Sequence, residues 1–349
     1  MSKKSIILGM PKHNNIVVEI KKNLEYYDYD VTFVDSNPDY IKQFKYQNNM
    51  DRVHHAIRKV IYRDKSYKSQ LKEKLLLEKT DRYLAMKQYD YSLIIRPDTY
   101  PLSLLQLIKS YTCKNMVGYQ WDGLNRFPEV IPMIDLFDNF FVFDANDTKN
   151  IDFKNYSLKG ITNFYFDMYK PEPVKHSGTI AYFVGSHIPG RVSAVNTCIK
   201  ELYKNNIKLN FIIPTNDINK IQQYNLHHLI TFGMENKVSF YENLRNVNKS
   251  DILVDIINPV HNGLSFRVYE ALYFKKKLIT NNPLVRNYDF YNPANILIWD
   301  DETLAKTLPD FLASPMKIIN PEIVKKYSFG NWIKNILNLS PNQKIKLPL

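Results

Sequence analysis

NGLSFRVYEALYFKKKLITNN, residues 262–282, is the stretch that decides how this chain reads. It runs as a polar loop, a short helix with Arg267 and Glu270 on one face, a basic turn and a buried strand at 277–280. The first turn of a helix carries N–H groups without intrahelical partners, and such an end attracts phosphate. Arg267 adds a planar fork of donors that matches phosphate oxygens. Glu270, one turn on, is placed to accept hydrogen bonds from the two hydroxyls of a ribose. An Arg and a Glu three residues apart also make an ordinary surface ion pair, worth a few tenths of a kcal/mol. What favours the nucleotide reading is where the segment falls in a repeated strand–helix pattern.

That pattern runs along the whole chain. In the first half, apolar runs at 5–8, 31–34, 91–95, 116–119 and 140–143 alternate with helical stretches, and several end in polar residues: 9–15, 96–98, and Trp121 with Asp122. Continuous apolar strands separated by helices indicate a parallel sheet covered on both faces, with ligands beyond the carboxyl ends of its strands. KPEPVKHS at 170–177 has two prolines and no apolar periodicity, as expected of a linker. The pattern then restarts, with strands expected at 179–184, 209–213, 237–240, 252–256, 277–280 and 295–298, and a helix over 191–205. The expected division is therefore 1–170, 171–330 and a terminal helix or tail at 331–349 that could pack back across the molecule.

The 349 residues suffice for two cores, and the hydrophobic fraction of 44% suits a globular protein. No apolar run is long enough to cross a bilayer, and the start, MSKKSIILGM, is too short in apolar residues for a secretory signal. Cys113 and Cys198 lack metal-ligand spacing and read as reduced thiols of a cytoplasmic protein. The net charge of +12 fits an anionic partner, although a chain rich in Lys, Asn, Ile and Tyr also carries the bias of an AT-rich genome. Residues 41–90 concentrate the excess, with 13 Lys and Arg against 6 Asp and Glu. That segment is expected to be helical, anchored by Ile57, Ile61, Leu71, Leu75 and Leu76. It is either a solvated face or a contact for anionic lipid headgroups or a phosphorylated glycolipid.

VGSHIPGR at 184–191 opens the second half with a strand end, a Gly-Ser loop and a helix start near Arg191, a place for a phosphate or a transferred sugar. It lacks the GxGxxG spacing of a dinucleotide fold. Gly263 allows close backbone approach before the 266–274 helix. Asn262 is either its N-cap or a ligand contact. The order VGS…R, then ENL…SDIL, then NP…NGLSFRVYEAL…KKLITNN…DFYNPANI, resembles bacterial GT-B glycosyltransferases of lipopolysaccharide and capsule biosynthesis; YQWD…FPEV…LFDNFFVFDANDTKN adds a looser likeness in the first half. The resemblance implies an α/β fold of two Rossmann-like domains with parallel sheets facing across a cleft, the C-terminal one holding a nucleotide-sugar and the N-terminal one the acceptor. It puts Glu270 in the place of the ribose-binding glutamate, with Arg267, Gly185 and Ser186 near the diphosphate. The donor-side candidates are Gly185, Ser186, Arg191, Asn262, Gly263, Ser265, Arg267 and Glu270.

Glycosyl transfer requires relief of charge on the leaving diphosphate, which GT-B enzymes as a class supply with helix ends and cations and without a metal. A metal-dependent enzyme needs an aspartate pair at a strand end. Asp28-Tyr29-Asp30 instead precedes a strand, where turn-forming aspartates are common. No cofactor is expected beyond the nucleotide-sugar itself. If the reaction inverts the anomeric centre it needs a general base, and the candidates are Asp122, Asp98 and His13. Asp122 is favoured because it ends a strand on the expected cleft side; a helix N-cap is its rival reading. The expected protein is a cytoplasmic enzyme, peripheral at the inner membrane, acting on a saccharide or lipid-linked acceptor. A GT-B-fold nucleotide-sugar epimerase and a non-catalytic binder of nucleic acid or nucleotide remain as alternatives, although no nucleic-acid motif is present.

Overall fold

The computed structural model describes residues 3–12, 15–46, 48–61, 63–64, 66–257 and 263–348. Candidate residues His13 and Asn262 lie outside these. The chain divides into two compact units. The first comprises Met1–Lys12, Leu24–Phe141 and Asp152–Lys159; the second comprises His13–Asn23, Val142–Ile151 and Gly160–Leu349.

The first unit is built on strands β1 (Lys4–Gly9), β2 (Tyr29–Val34), β3 (Tyr89–Ile95), β4 (Thr112–Gln120), β5 (Asn139–Val142) and β6 (Leu158–Gly160), in the order β2-β1-β3-β4-β5-β6. The β2-β1-β3-β4 run is parallel. Ile6, Ile7 and Leu8 of β1 and Leu93, Ile94 and Ile95 of β3 are fully buried. This is what a sheet covered on both faces demands. Asp28 takes a left-handed backbone (φ 61°) in the turn before β2, the turn role expected of it.

The second unit carries β7 (Ile180–Val184), β8 (Lys208–Ile213), β9 (Ile230–Phe232), β10 (Ile252–Asp255), β11 (Lys277–Thr280) and β12 (Ile296–Ile298), all parallel in the order β12-β11-β10-β7-β8-β9. From β7 the chain steps outward through β8 and β9, then crosses back to β10 on the other side. The carboxyl ends of β7 and β10 therefore flank a crevice at the topological switch point, where open α/β sheets bind ligands. Ala181, Phe183, Phe211, Val254 and Ile279 form the sheet's contribution to the core, closed by Val195, Cys198 and Leu202 of the helix Val192–Lys204.

Three expectations need correction. Residues 237–240 are not a strand: Ser239 N-caps the helix Phe240–Lys249. Its Oγ accepts from the Glu242 N–H (3.3 Å), and its own N–H donates to Glu242 Oε2 (2.9 Å). That reciprocal box fixes a helix start. The short strands β6 and β9 escaped the apolar-run reading. In the basic segment, Leu76 is buried, but the helix Asn49–Ile61 has no buried residue, and Ile57 (39% exposed) and Ile61 (68%) anchor nothing. Residues 170–176 are exposed and without regular structure, as a linker would be, and lie within the second unit. The terminal helix Phe329–Ile336 also belongs to that unit, with Trp332 against Phe164 (4.4 Å between rings) and its indole N–H donating to the Thr162 carbonyl (3.0 Å). No described helix is long and apolar enough to cross a membrane.

Candidate functional site

A cavity of about 520 Å³ opens in the second unit beyond the ends of β7 and β10. It is lined by Gly185, Ser186 and Arg191 from the loop after β7, Asp255 from β10, and Ser265, Arg267 and Glu270 from the helix Phe266–Phe274; Lys237, Ser239 and Asn243 come from the other side. Six of the eight donor-side candidates are thus brought together. Gly263 is not among the lining residues. A Cβ there would lie 2.2 Å from the Phe143 ring, and its carbonyl accepts from Asn282 Nδ2 (3.0 Å). Its glycine is required by close packing.

Glu270 is 2% exposed, yet it borders the cavity. Asn243 Nδ2 donates to its Oε1 at 3.0 Å. Burial pushes its carboxyl up to about 7, opposed by the charge of Arg267 and the Asn243 hydrogen bond. An acid that titrates near neutrality inside a cavity is characteristic of a functional group.

The helix start has a particular construction. Ser265 occupies the N-cap position with extended backbone (φ −65°, ψ 163°), but its side chain does not cap the helix. Its Oγ donates instead to Asp255 Oδ1 (2.7 Å), and Thr280 Oγ1 donates to Asp255 Oδ2 (3.0 Å). The Ser265 hydroxyl is thus turned away from the first-turn N–H groups, of which that of Val268 donates to the Ser265 carbonyl (3.2 Å). Arg267 differs from its expected use: Nη1 donates to the Val254 carbonyl (3.1 Å) and Nη2 to the Val184 carbonyl (2.8 Å). Its fork ties the ends of β10 and β7 together, and its Nε has no partner among the described residues. The positive charge stays at the cavity while two of its nitrogens are occupied. Arg191 supplies a second cation; its Nε donates to the Ile257 carbonyl (3.3 Å), and burial lowers its affinity for a proton. The neighbouring His187 is held by Tyr224 (Nδ1 to the hydroxyl, 3.0 Å), which steadies the Gly185–Ser186 loop.

In the first unit, Asp98 and Asp122 are brought together by one arginine. Arg96, left-handed (φ 59°, ψ 62°) at the end of β3, donates through Nε and Nη2 to Asp98 (2.7 and 2.6 Å) and through Nη1 to Asp122. Its guanidinium stacks on Phe127 (3.9 Å), and Arg126 Nη1 donates to the other oxygen of Asp122 (3.2 Å). The two candidate bases are thus members of one ion-paired cluster.

Sequence reasoning missed Asn243 and Asp255, and it named Arg96 only within the polar strand end 96–98. The first two had local signals: the Ser239-x-x-Glu242 capping box places Asn243 in the helix's first turns, and Asp255 ends an apolar strand run.

No protein-family model matches the sequence, and no curated protein matches it. Solved structures match along nearly the whole length. They include the apo form of the lipopolysaccharide outer core galactosyltransferase WaaB (12% identity, TM-score 0.52, 96% of this chain and 98% of that one). A glycosyltransferase from Rickettsia africae ESF-5 matches at 13% identity and TM-score 0.52, covering 93% and 91%. A UDP-N-acetylglucosamine 2-epimerase matches at 12% and 0.50, covering 99% of each. At such identities the likeness establishes the fold: two Rossmann-like domains of the GT-B class.

Proposed function

We propose that this protein is a metal-independent glycosyltransferase that binds a nucleotide-sugar in the cavity of its second domain. The sugar passes to a saccharide or lipid-linked acceptor of the bacterial envelope, at the cytoplasmic side of the inner membrane. The observation that carries the reading is the convergence on one cavity of a carboxylate, Glu270, and an uncapped helix start flanked by Arg191 and Arg267. Glu270 would accept the ribose hydroxyls, while the helix N–H groups and the two arginines would face the diphosphate and stabilise it as it leaves. The galactosyltransferase and glycosyltransferase likenesses support the choice of reaction within the fold. Asp122 and Asp98 remain the first domain's candidates for orienting or deprotonating an acceptor, together with His13, and Asn262 remains a donor-side candidate.

The epimerase likeness gives the second reading its footing. Both are tested by incubating the protein with UDP-, GDP-, ADP-, CMP- and dTDP-sugars. A transferase yields free nucleotide only when an acceptor saccharide or lipid is added. Interconversion of a nucleotide-sugar without any acceptor would establish the epimerase instead.

A further inference from the structure

The helix Phe266–Phe274 borders a second cavity on the face next to the one bearing Arg267 and Glu270. It measures about 210 Å³, and Val268, Ala271, Phe290, Ile296, Ile319 and Val324 give it an apolar wall. Residues 316–319, without regular structure, form one side and leave Ile318 95% exposed. That side is held by a reciprocal pair: the Lys317 N–H donates to Asn295 Oδ1 (2.7 Å), and Asn295 Nδ2 donates to the Lys317 carbonyl (2.8 Å). Lys275, Lys276 and Lys317 also line the cavity, and among the described residues no carboxylate does. Lys276 Nζ donates to the Asn248 carbonyl, whereas Lys275 and Lys317 are exposed.

An apolar wall favours a hydrocarbon chain and penalises a polar one. Exposed lysines beside it favour an anionic end, their own methylene stems extending the apolar surface. We propose that this cavity binds a single-chain anionic amphiphile, an alkyl chain ending in a carboxylate or phosphate. The site is concave and lined as small-molecule sites are, and it is separate from the donor cavity.

The test is calorimetric titration of the full chain with decanoate below its micelle-forming concentration. The expected result is saturable one-to-one binding, lost in Ala271→Phe, weakened about tenfold in the Lys275→Glu/Lys317→Glu double variant, and absent for decyltrimethylammonium. If Ala271→Phe does not fold, Ile319→Trp fills the same space from the irregular side. No saturable binding, or an unchanged Kd in the cavity-filled variant, would overturn the proposal; equal binding of the cationic amphiphile would overturn its charge assignment. Anionic vesicles separate the two sources of such a chain. Weaker vesicle binding by the double variant assigns it to a bilayer lipid, and unchanged vesicle binding assigns it to a free amphiphile.

Discussion

At the strand ends of the first domain, Arg96 is gripped by Asp98 and Asp122 and stacked on Phe127. At the strand ends of the second, Asp255 and Glu270 line a cavity alongside Arg191 and a helix start whose N-cap hydroxyl points elsewhere. Both places gather charge where a parallel sheet offers a ligand site, but they use it differently. In the first, cation and anions satisfy one another and fix the backbone after β3 in a left-handed conformation. In the second, Asp255 and two nitrogens of Arg267 are likewise taken up within the protein, yet the groups line an open cavity and Arg267 Nε has no partner among the described residues. Clustered charge alone therefore does not separate the two places; the cavity beside the second cluster does.

If the Arg96 cluster is internal scaffolding, Arg96→Ala should lower stability by roughly 4 kcal/mol, because two partly buried carboxylates lose their shared cation. Denaturant midpoints measure this, with nucleotide affinity unchanged. A loss below about 1 kcal/mol would break the comparison by showing the cluster to be dispensable to folding.

The second site predicts the opposite sign. The carboxyl of Glu270 is raised from 4.5 to about 7 by burial. The folded state therefore holds that proton more tightly than the unfolded chain, and stability falls as pH rises from about 4.5 to 7. The cost of the buried charge above pH 7 is about 3 kcal/mol. Glu270→Gln, which keeps an oxygen for Asn243, should raise Tm at pH 8 and leave it nearly unchanged at pH 4.5. A variant equally or less stable at pH 8 would show that Glu270 is not a strained group.

How much of this the chain discloses in advance follows from the range of each interaction. Apolar runs such as 252–256 and the helix bearing Arg267 and Glu270 are local, and they read correctly. The partners of Arg267 are carbonyls at Val184 and Val254, brought near only when β7 and β10 pair. Its fork was thus assigned to phosphate before those carbonyls could be known to claim it. Arg96 and Asp122 meet across 26 residues, and no periodicity announces such a pair. At Lys237–Phe240 the signal was local but misjudged: the strand reading of KVSF passed over a Ser-x-x-Glu cap that starts a helix at Phe240.

A separate expected effect concerns charge away from the strand ends. The helix Asn49–Ile61 exposes Met50, Val53, Val60 and Ile61 beside Arg58 and Lys59, so the lipid contact expected of this segment can be tested directly. Neutralising Arg58, Lys59 and Arg63 should weaken co-sedimentation with anionic vesicles by about 1 kcal/mol per charge. Unchanged co-sedimentation would reject a lipid contact by this segment.

The most direct measurement is calorimetric titration of the nucleoside diphosphates UDP, GDP, ADP and dTDP into the wild-type protein and into Glu270→Ala. The account predicts saturable one-to-one binding of at least one of them at pH 8, weakened roughly a hundredfold by loss of hydrogen bonds to a charged group. Equal affinity in the two proteins, or no binding by the wild type, would contradict it.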